Sequence, residues 1–237
     1  MKPPLILVPG LLCDAALWAP QVQALRDAAE IFIPDLTRDA TMEGMAKRVL
    51  DEAPFERFAI AGLSMGGYVA LEMMRQAPQR IERLALLDTR ARPDSPDEGE
   101  RRRTLIRIAQ GAKGLAPVNK RMLPLLVHPS RVDDQPLVDI VQRMADRIGI
   151  EAYVRQQEAV MSRADFRPAL REIACPTLVL CGRQDAITPL AFHEEIAAGV
   201  RGARLVVLED CGHLATLEKP DEVNAALRAW LGVGCGV

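Results

Sequence analysis

The chain has 237 residues, of which 49% are apolar and 26% charged. That length and balance suit one large domain, able to bury roughly 70–75% of the surface its unfolded form exposes. They exclude whole-chain disorder, collagen-like repeats and dependence on disulfide staples. The formal net charge of -2 gives no basic field for nucleic acid, and no stretch reaches the roughly 18 apolar residues that span a bilayer.

Leu5–Val8 is the first short apolar run. With Lys2 before it and Cys13 after it, this segment loosely imitates a lipoprotein leader. Pro9-Gly10 cuts the run, and bulky Leu12 stands where a small residue should precede cleavage, so a buried strand ending in a turn is expected instead. Further runs follow at Ile31–Ile33, Phe58–Ala61, Leu84–Leu87, Thr177–Cys181 and Leu205–Leu208. Each is apolar on both alternating faces, as in strands covered by helices on both sides. Strands alternating with helical patterns predict a doubly wound α/β fold with a mostly parallel sheet.

The helices between them carry readable ends. Asp14 is placed to cap a helix through Trp18 and Leu25, which Pro20 must break or kink. Thr41 caps a helix reaching Glu52, stopped by Pro54. Met65–Gln76 follows the third strand, with Pro78 just beyond. Thr188-Pro189 is expected to open a helix as cap and first residue. Pro220-Asp221 opens the last helix, which ends near Leu231 with Gly232 as C-cap.

Between the fourth and fifth strands the rhythm breaks, and residues 90–172 read as mostly helical. Ser95-Pro96-Asp97-Glu98 starts a helix and Gly111 stops it. Leu137, Ile140, Val141 and Met144 form one helical face that ends near Gly149. The part from 95 to 165 is expected to form a helical cap over a core made of residues 1–94 and 166–237. Residues 90–172 hold 16 Lys+Arg against 12 Asp+Glu. Such a charge excess over the site would favour an anionic substrate, but solvated helix faces are the preferred explanation.

There are five cysteines, Cys13, Cys175, Cys181, Cys211 and Cys235. The odd number and the lack of a C-x-x-C pair argue against a disulfide framework and a zinc site. Free thiols in a reducing cytoplasm are expected. Cys211, two residues before His213, is the thiol expected to lie near the chemistry, although a better nucleophile is present.

That nucleophile is Ser64. Gly62-Leu63-Ser64-Met65-Gly66-Gly67 directly follows the third strand and directly precedes a helix. A serine on so tight a turn is forced into strained backbone geometry, and glycines two residues either side avoid collisions. The turn lifts the hydroxyl above the sheet and aims a helix N-terminus at the same spot. Serine needs a base, and His213 in Asp210-Cys211-Gly212-His213-Leu214 follows the sixth strand. Loops at the carboxyl ends of parallel strands gather at one sheet edge, so Ser64 and His213 share it. Of the other histidines, His128 precedes a proline in the insertion, and His193 beside Glu194 and Glu195 is expected on a solvated helix face. A carboxylate must orient the base. Asp185 after the fifth strand is the expected acid, and Asp88 at the end of the fourth is the alternative.

The elbow and the order Ser, Asp, His resemble the α/β-hydrolase superfamily over Leu5 to Leu231, in particular its small microbial members with a helical cap between the sixth and seventh family strands. The resemblance implies a six-stranded parallel sheet in local order 2-1-3-4-5-6, beginning on the family's third strand. It also implies an oxyanion hole of two backbone N–H groups: Met65, and Leu11 or Leu12 in Pro9-Gly10-Leu11-Leu12, with Leu11 preferred. Proline stands here where relatives often carry histidine. Leu12 and Leu214 are expected in an apolar substrate pocket. No metal or cofactor is expected, since there is no H-E-x-x-H, phosphate loop or dinucleotide fingerprint.

The expected activity is a cofactor-free serine hydrolase, forming an acyl-enzyme from a small-molecule carboxylic ester of a small or medium apolar acid. Carbon–carbon bond hydrolases, acyltransferases, lyases and perhydrolases use the same triad, and the fold does not choose among them. A binding protein that uses the cleft without turnover is the alternative of another class.

Overall fold

The computed structural model describes residues 2–232, and Cys235 lies outside them. Its six strands are β1 (Pro4–Val8), β2 (Glu30–Phe32), β3 (Phe58–Leu63), β4 (Ile81–Leu87), β5 (Thr177–Gly182) and β6 (Arg204–Leu208). They form one sheet in the order β2-β1-β3-β4-β5-β6, and every neighbouring pair is parallel. Each expected apolar run lies in or overlaps one strand. In β3 and β5 every residue is buried, which is what a central parallel strand requires.

Nine α-helices accompany the sheet among the described residues: α1 (Ala19–Leu25), α2 (Met42–Glu52), α3 (Met65–Gln76), α4 (Pro96–Ala112), α5 (Ala116–Leu126), α6 (Gln135–Met161), α7 (Leu190–Gly199), α8 (Ala215–Glu218) and α9 (Pro220–Leu231). Alternation along the strands divides the core into two. Ile6, Val8, Ile60, Leu84 and Val179 pack against side chains of α2, α3 and α7. Leu5, Leu7, Ala61, Leu87 and Leu180 point the other way, onto α1 and α9. The period of two sends successive residues to opposite faces, so one strand feeds both layers. None of the helices described is long and apolar enough to cross a membrane.

Helix ends follow their capping chemistry with three corrections. Thr41 Oγ1 accepts from Gly44 N–H at 3.1 Å, and Gly232 closes α9 at φ 73°. Asp14, however, caps only a 3-10 turn over Ala15–Trp18, and α1 begins afresh with Pro20 in its first turn. Ser95 and Glu98 form a reciprocal capping box, but α4 passes through Gly111 and stops at Lys113 in the left-handed region. Pro189, not Thr188, occupies the cap position of α7, because the Thr188 hydroxyl is engaged elsewhere.

Helices α4, α5 and α6 all fall between β4 and β5. Ala109, Leu115, Val118, Ala145 and Tyr153 give them a small core of their own. The face of Leu137, Val141 and Met144 joins the sheet's core. Gly149 (φ 74°, ψ 171°) breaks α6 where that face ends, and no Cβ is needed at that turn of the chain.

Candidate active site

Ser64 stands between β3 and α3 at φ 55°, ψ -116°, a conformation that costs a non-glycine residue roughly 1–3 kcal/mol. The surroundings hold it there. Its N–H donates to Leu87 O at 3.0 Å, and the Thr89 hydroxyl donates to its carbonyl at 2.8 Å. The flanking glycines are sterically obligatory. A Cβ on Gly62 would run into the Gly66 carbonyl, and one on Gly66 into the Val8 carbonyl.

His213 follows β6 and is 2% exposed. Its Nε2 lies 2.8 Å from Ser64 Oγ, and its Nδ1 lies 2.8 Å from Asp185 Oδ2. A carboxylate only accepts, so Nδ1 carries the proton and Nε2 presents its lone pair to the serine hydroxyl. Asp185 is itself fixed. Its Oδ1 accepts from Ile187 and Thr188 N–H, each at 2.8 Å, and its Oδ2 accepts from the Thr188 hydroxyl at 2.6 Å. Burial pushes this carboxyl up, but the facing His213 and the hydrogen bonds from His213 and Thr188 outweigh it and hold the group below its ordinary value.

Asp88 lies at the end of β4 and does not touch His213. Its Oδ1 accepts from Gly182 N–H at 3.0 Å, its Oδ2 from Ala215 N–H at 3.2 Å. Burial, followed by the charge of Asp185, raises it well above the usual carboxylate range. The loop of His213 has a further brace. Glu218 accepts from Gly212 and Leu214 N–H at 3.0 and 3.3 Å, and from His128 N–H at 2.7 Å. The His213 N–H donates to Leu126 O at 3.0 Å, which ties this loop to the end of α5.

Met65 is the first residue of α3, so its N–H has no intrahelical acceptor. Across from it, Leu12 adopts φ 59°, and its N–H donates to Gln156 Oε1 at 3.0 Å. Leu11 N–H has no acceptor among the described residues. Leu11, Leu12, Met65 and Leu214 line one cavity with Ser64 and His213.

One expectation is corrected. His193 is not on a solvated face: it is fully buried, and its Nε2 accepts from Thr89 N–H at 2.9 Å. Burial pushes it down to about 4, so it is neutral and braces the residue whose hydroxyl holds Ser64. Cys211 is fully buried with its thiol pushed up, by burial first and then by Asp88, and Cys13 is the cysteine lining the cavity. Cys13, Cys175, Cys181 and Cys211 are all free. Asp88, Asp185 and His193 bring ligand-type atoms within 4.8 Å of one another, but each already accepts the hydrogen bonds given above.

Sequence reading missed Thr188, Gln156, Glu218 and His193. For Thr188 a signal existed, since Asp-x-x-Thr is a spacing at which an aspartate bonds the backbone ahead of it. Gln156 and His193 lie on helices far along the chain from Leu12 and Thr89, and only the tertiary fold pairs them.

A family model described as "Alpha/beta hydrolase family" matches residues 5–226. A 2-hydroxy-6-oxononadienedioate/2-hydroxy-6-oxononatrienedioate hydrolase of Paraburkholderia xenovorans is 31% identical over 188 residues, 75% of this chain, which spans 63% of that protein. Among solved structures, a thermophilic esterase from Thermogutta terrifontis with malate bound is 32% identical at a TM-score of 0.91, covering 98% of this chain and 90% of that one. An enol-lactonase from Burkholderia xenovorans is 27% identical at a TM-score of 0.88, covering 98% and 92%.

Proposed function

The chain belongs to the alpha/beta hydrolase family, and from that premise we propose that it is a cofactor-free serine hydrolase that cleaves carboxylic esters through an acyl-enzyme. The two 2.8 Å hydrogen bonds, Ser64 Oγ to His213 Nε2 and His213 Nδ1 to Asp185 Oδ2, carry this reading. Ser64 Oγ attacks the acyl carbon while His213 Nε2 takes its proton, and Asp185 steadies the imidazolium. The N–H groups of Met65 and Leu11 receive the oxyanion. His213 then protonates the departing alcohol, and a water activated by the same Nε2 releases the acid.

Residues 95–165 act as a cap over the core of 1–94 and 166–237, and the bond from His213 N–H to Leu126 O supports a direct link between cap and site. The apolar lining, with Leu12 and Leu214, suits a small or medium apolar acyl chain. The free thiols fit a reducing compartment, the cytoplasm. A relative named as a hydrolase of 2-hydroxy-6-oxononadienedioate keeps carbon–carbon bond hydrolysis with the same triad as the second reading.

A phosphonate probe should label Ser64 covalently, and Ser64→Ala should lower kcat on the order of 10⁴-fold with the fold intact. A pure Ser64→Ala enzyme keeping more than a few per cent of activity would remove Ser64 as nucleophile. Product analysis with ester and diketone substrates separates the two readings.

A further inference from the structure

The cavity shared by Ser64 and His213 is apolar over most of its wall, but it has one polar corner, formed by Arg102 of α4, Asn119 of α5, and Tyr153 and Gln157 of α6. Among the described residues no Asp or Glu lines the cavity, and Arg102 is its only permanently charged side chain. The other charges near it do not cancel that one. Asp94, only 6% exposed in its side chain, receives Arg90, Arg102 and Arg163. The remaining carboxylate, Glu98, pairs with Arg90. Three guanidinium groups thus face two carboxylates, and the cluster keeps one positive charge. Most other arginines of the inserted helices and their flanks pair with acids at the surface, as Arg107 does with Glu100 and Arg147 with Asp14. The rest of the charge excess read from the sequence sits on exposed side chains such as Arg101, Lys113, Lys120 and Arg121, whereas Arg102 faces the cavity.

The donors in this corner have a definite surplus. A guanidinium carries five N–H groups. Arg102 Nε and Nη2 donate to Asp94, at 2.7 and 3.4 Å, and Nη1 donates to Gln157 Oε1 at 2.9 Å. Two N–H groups are left without an acceptor among the described residues. Because Arg102 has only donors, Gln157 must turn its oxygen to it. The Gln157 amide then donates to Tyr153 Oη at 2.8 Å, and the Tyr153 hydroxyl proton is also left over. Three spare donors, one net positive charge and apolar walls describe a place for a group with two acceptor oxygens and one negative charge.

We infer that this corner is a carboxylate subsite, and that the substrate is an ester bearing a second, ionised carboxylate at the far end of an apolar chain. The inference takes its scissile bond from the ester-hydrolase reading above. Arg102 acts on binding and selectivity, and the triad acts on the bond.

Monomethyl adipate and its uncharged isostere methyl 6-methylheptanoate test it, each measured as kcat/KM in the wild type, Arg102→Met and Arg102→Lys. The wild type should prefer the anion by about tenfold or more, as a charge-assisted hydrogen bond allows. Arg102→Met should reduce that ratio at least tenfold, Arg102→Lys should keep part of it, and added salt should shrink it. A ratio taken within one protein does not depend on the fraction folded. A wild-type ratio near one, or a ratio that Arg102→Met leaves in place, overturns the subsite while the ester reading stands. If the wild type cleaves neither ester, the ester reading fails by itself, and calorimetry with hexanoate decides the subsite. Binding weakened about tenfold or more by Arg102→Met supports it; no binding, or equal binding, overturns it.

Discussion

Asp88 and Asp185 sit at the ends of adjacent strands, yet only Asp185 reaches His213. Asp88 instead takes the N–H groups of Gly182, three residues before Asp185, and Ala215, two after His213. One carboxylate orients the imidazole, and the other ties together the two loops that bring acid and base to each other. Asp185→Asn should leave folding nearly unchanged and lower kcat by about 10³–10⁴-fold, through the wrong histidine tautomer. Asp88→Asn should cost far less in kcat, because an amide oxygen still accepts one of the two N–H groups. Steady-state rates of both variants check the ranking, and the reverse order would move the acid to the fourth strand.

Glu218 should behave as a positioning residue. Glu218→Ala strands the N–H groups of His128, Gly212 and Leu214, two of which flank His213. Stranded buried donors cost about 1–3 kcal/mol each, and partial rehydration makes about 2–4 kcal/mol in total the expected loss. The displaced imidazole should lower kcat by about 10- to 100-fold. Glu218→Gln, which restores an acceptor, should recover part of both. Urea midpoints and kcat measured together test this: a stability loss with kcat untouched would make Glu218 purely structural.

Turnover should survive extended dialysis against a chelator. Asp88, Asp185 and His193 stand at metal-ligand spacing, but their oxygen and nitrogen acceptors already receive N–H and O–H donors. Activity lost on chelation and restored by a divalent cation would contradict that assignment.

The sheet was legible because each strand is a short apolar run bounded by turn residues, and a strand buried on both faces needs little else. Ser64 was legible because its strain demands glycines at fixed offsets, a local signal. The burial of His193 is not legible because its neighbours Glu194 and Glu195 suggest a solvated face, whereas burial depends on which side of α7 meets the sheet. Thr188 reads as a cap because a hydroxyl residue before proline is a frequent helix start, and the stronger competitor is a buried carboxylate three residues earlier. The net charge of the inserted helices said nothing of Arg102, since pairing with Asp94 and access to the cavity are set by how α4 and α6 pack.

Asp94 offers the clearest pH test. Burial pushes this carboxyl up, but Arg102 and Arg163 outweigh it and hold it at about 2. Its unfolded value is near 3.9. A carboxyl with a depressed folded pKa binds fewer protons folded than unfolded between those values. Its stabilisation is therefore complete above about pH 4 and is lost as pH falls toward about 2. Asp94→Asn leaves Arg90, Arg102 and Arg163 facing only Glu98. It should destabilise the protein at pH 7 by about 2–4 kcal/mol, below the usual figure for a broken buried pair because part of the cluster meets solvent. That difference should hold from pH 7 to about pH 5, narrow below about pH 4 and nearly vanish around pH 2. Urea unfolding of the wild type and Asp94→Asn across that range measures it directly. A gap that widens on acidification would mean that Asp94 is not the anchor of its three arginines.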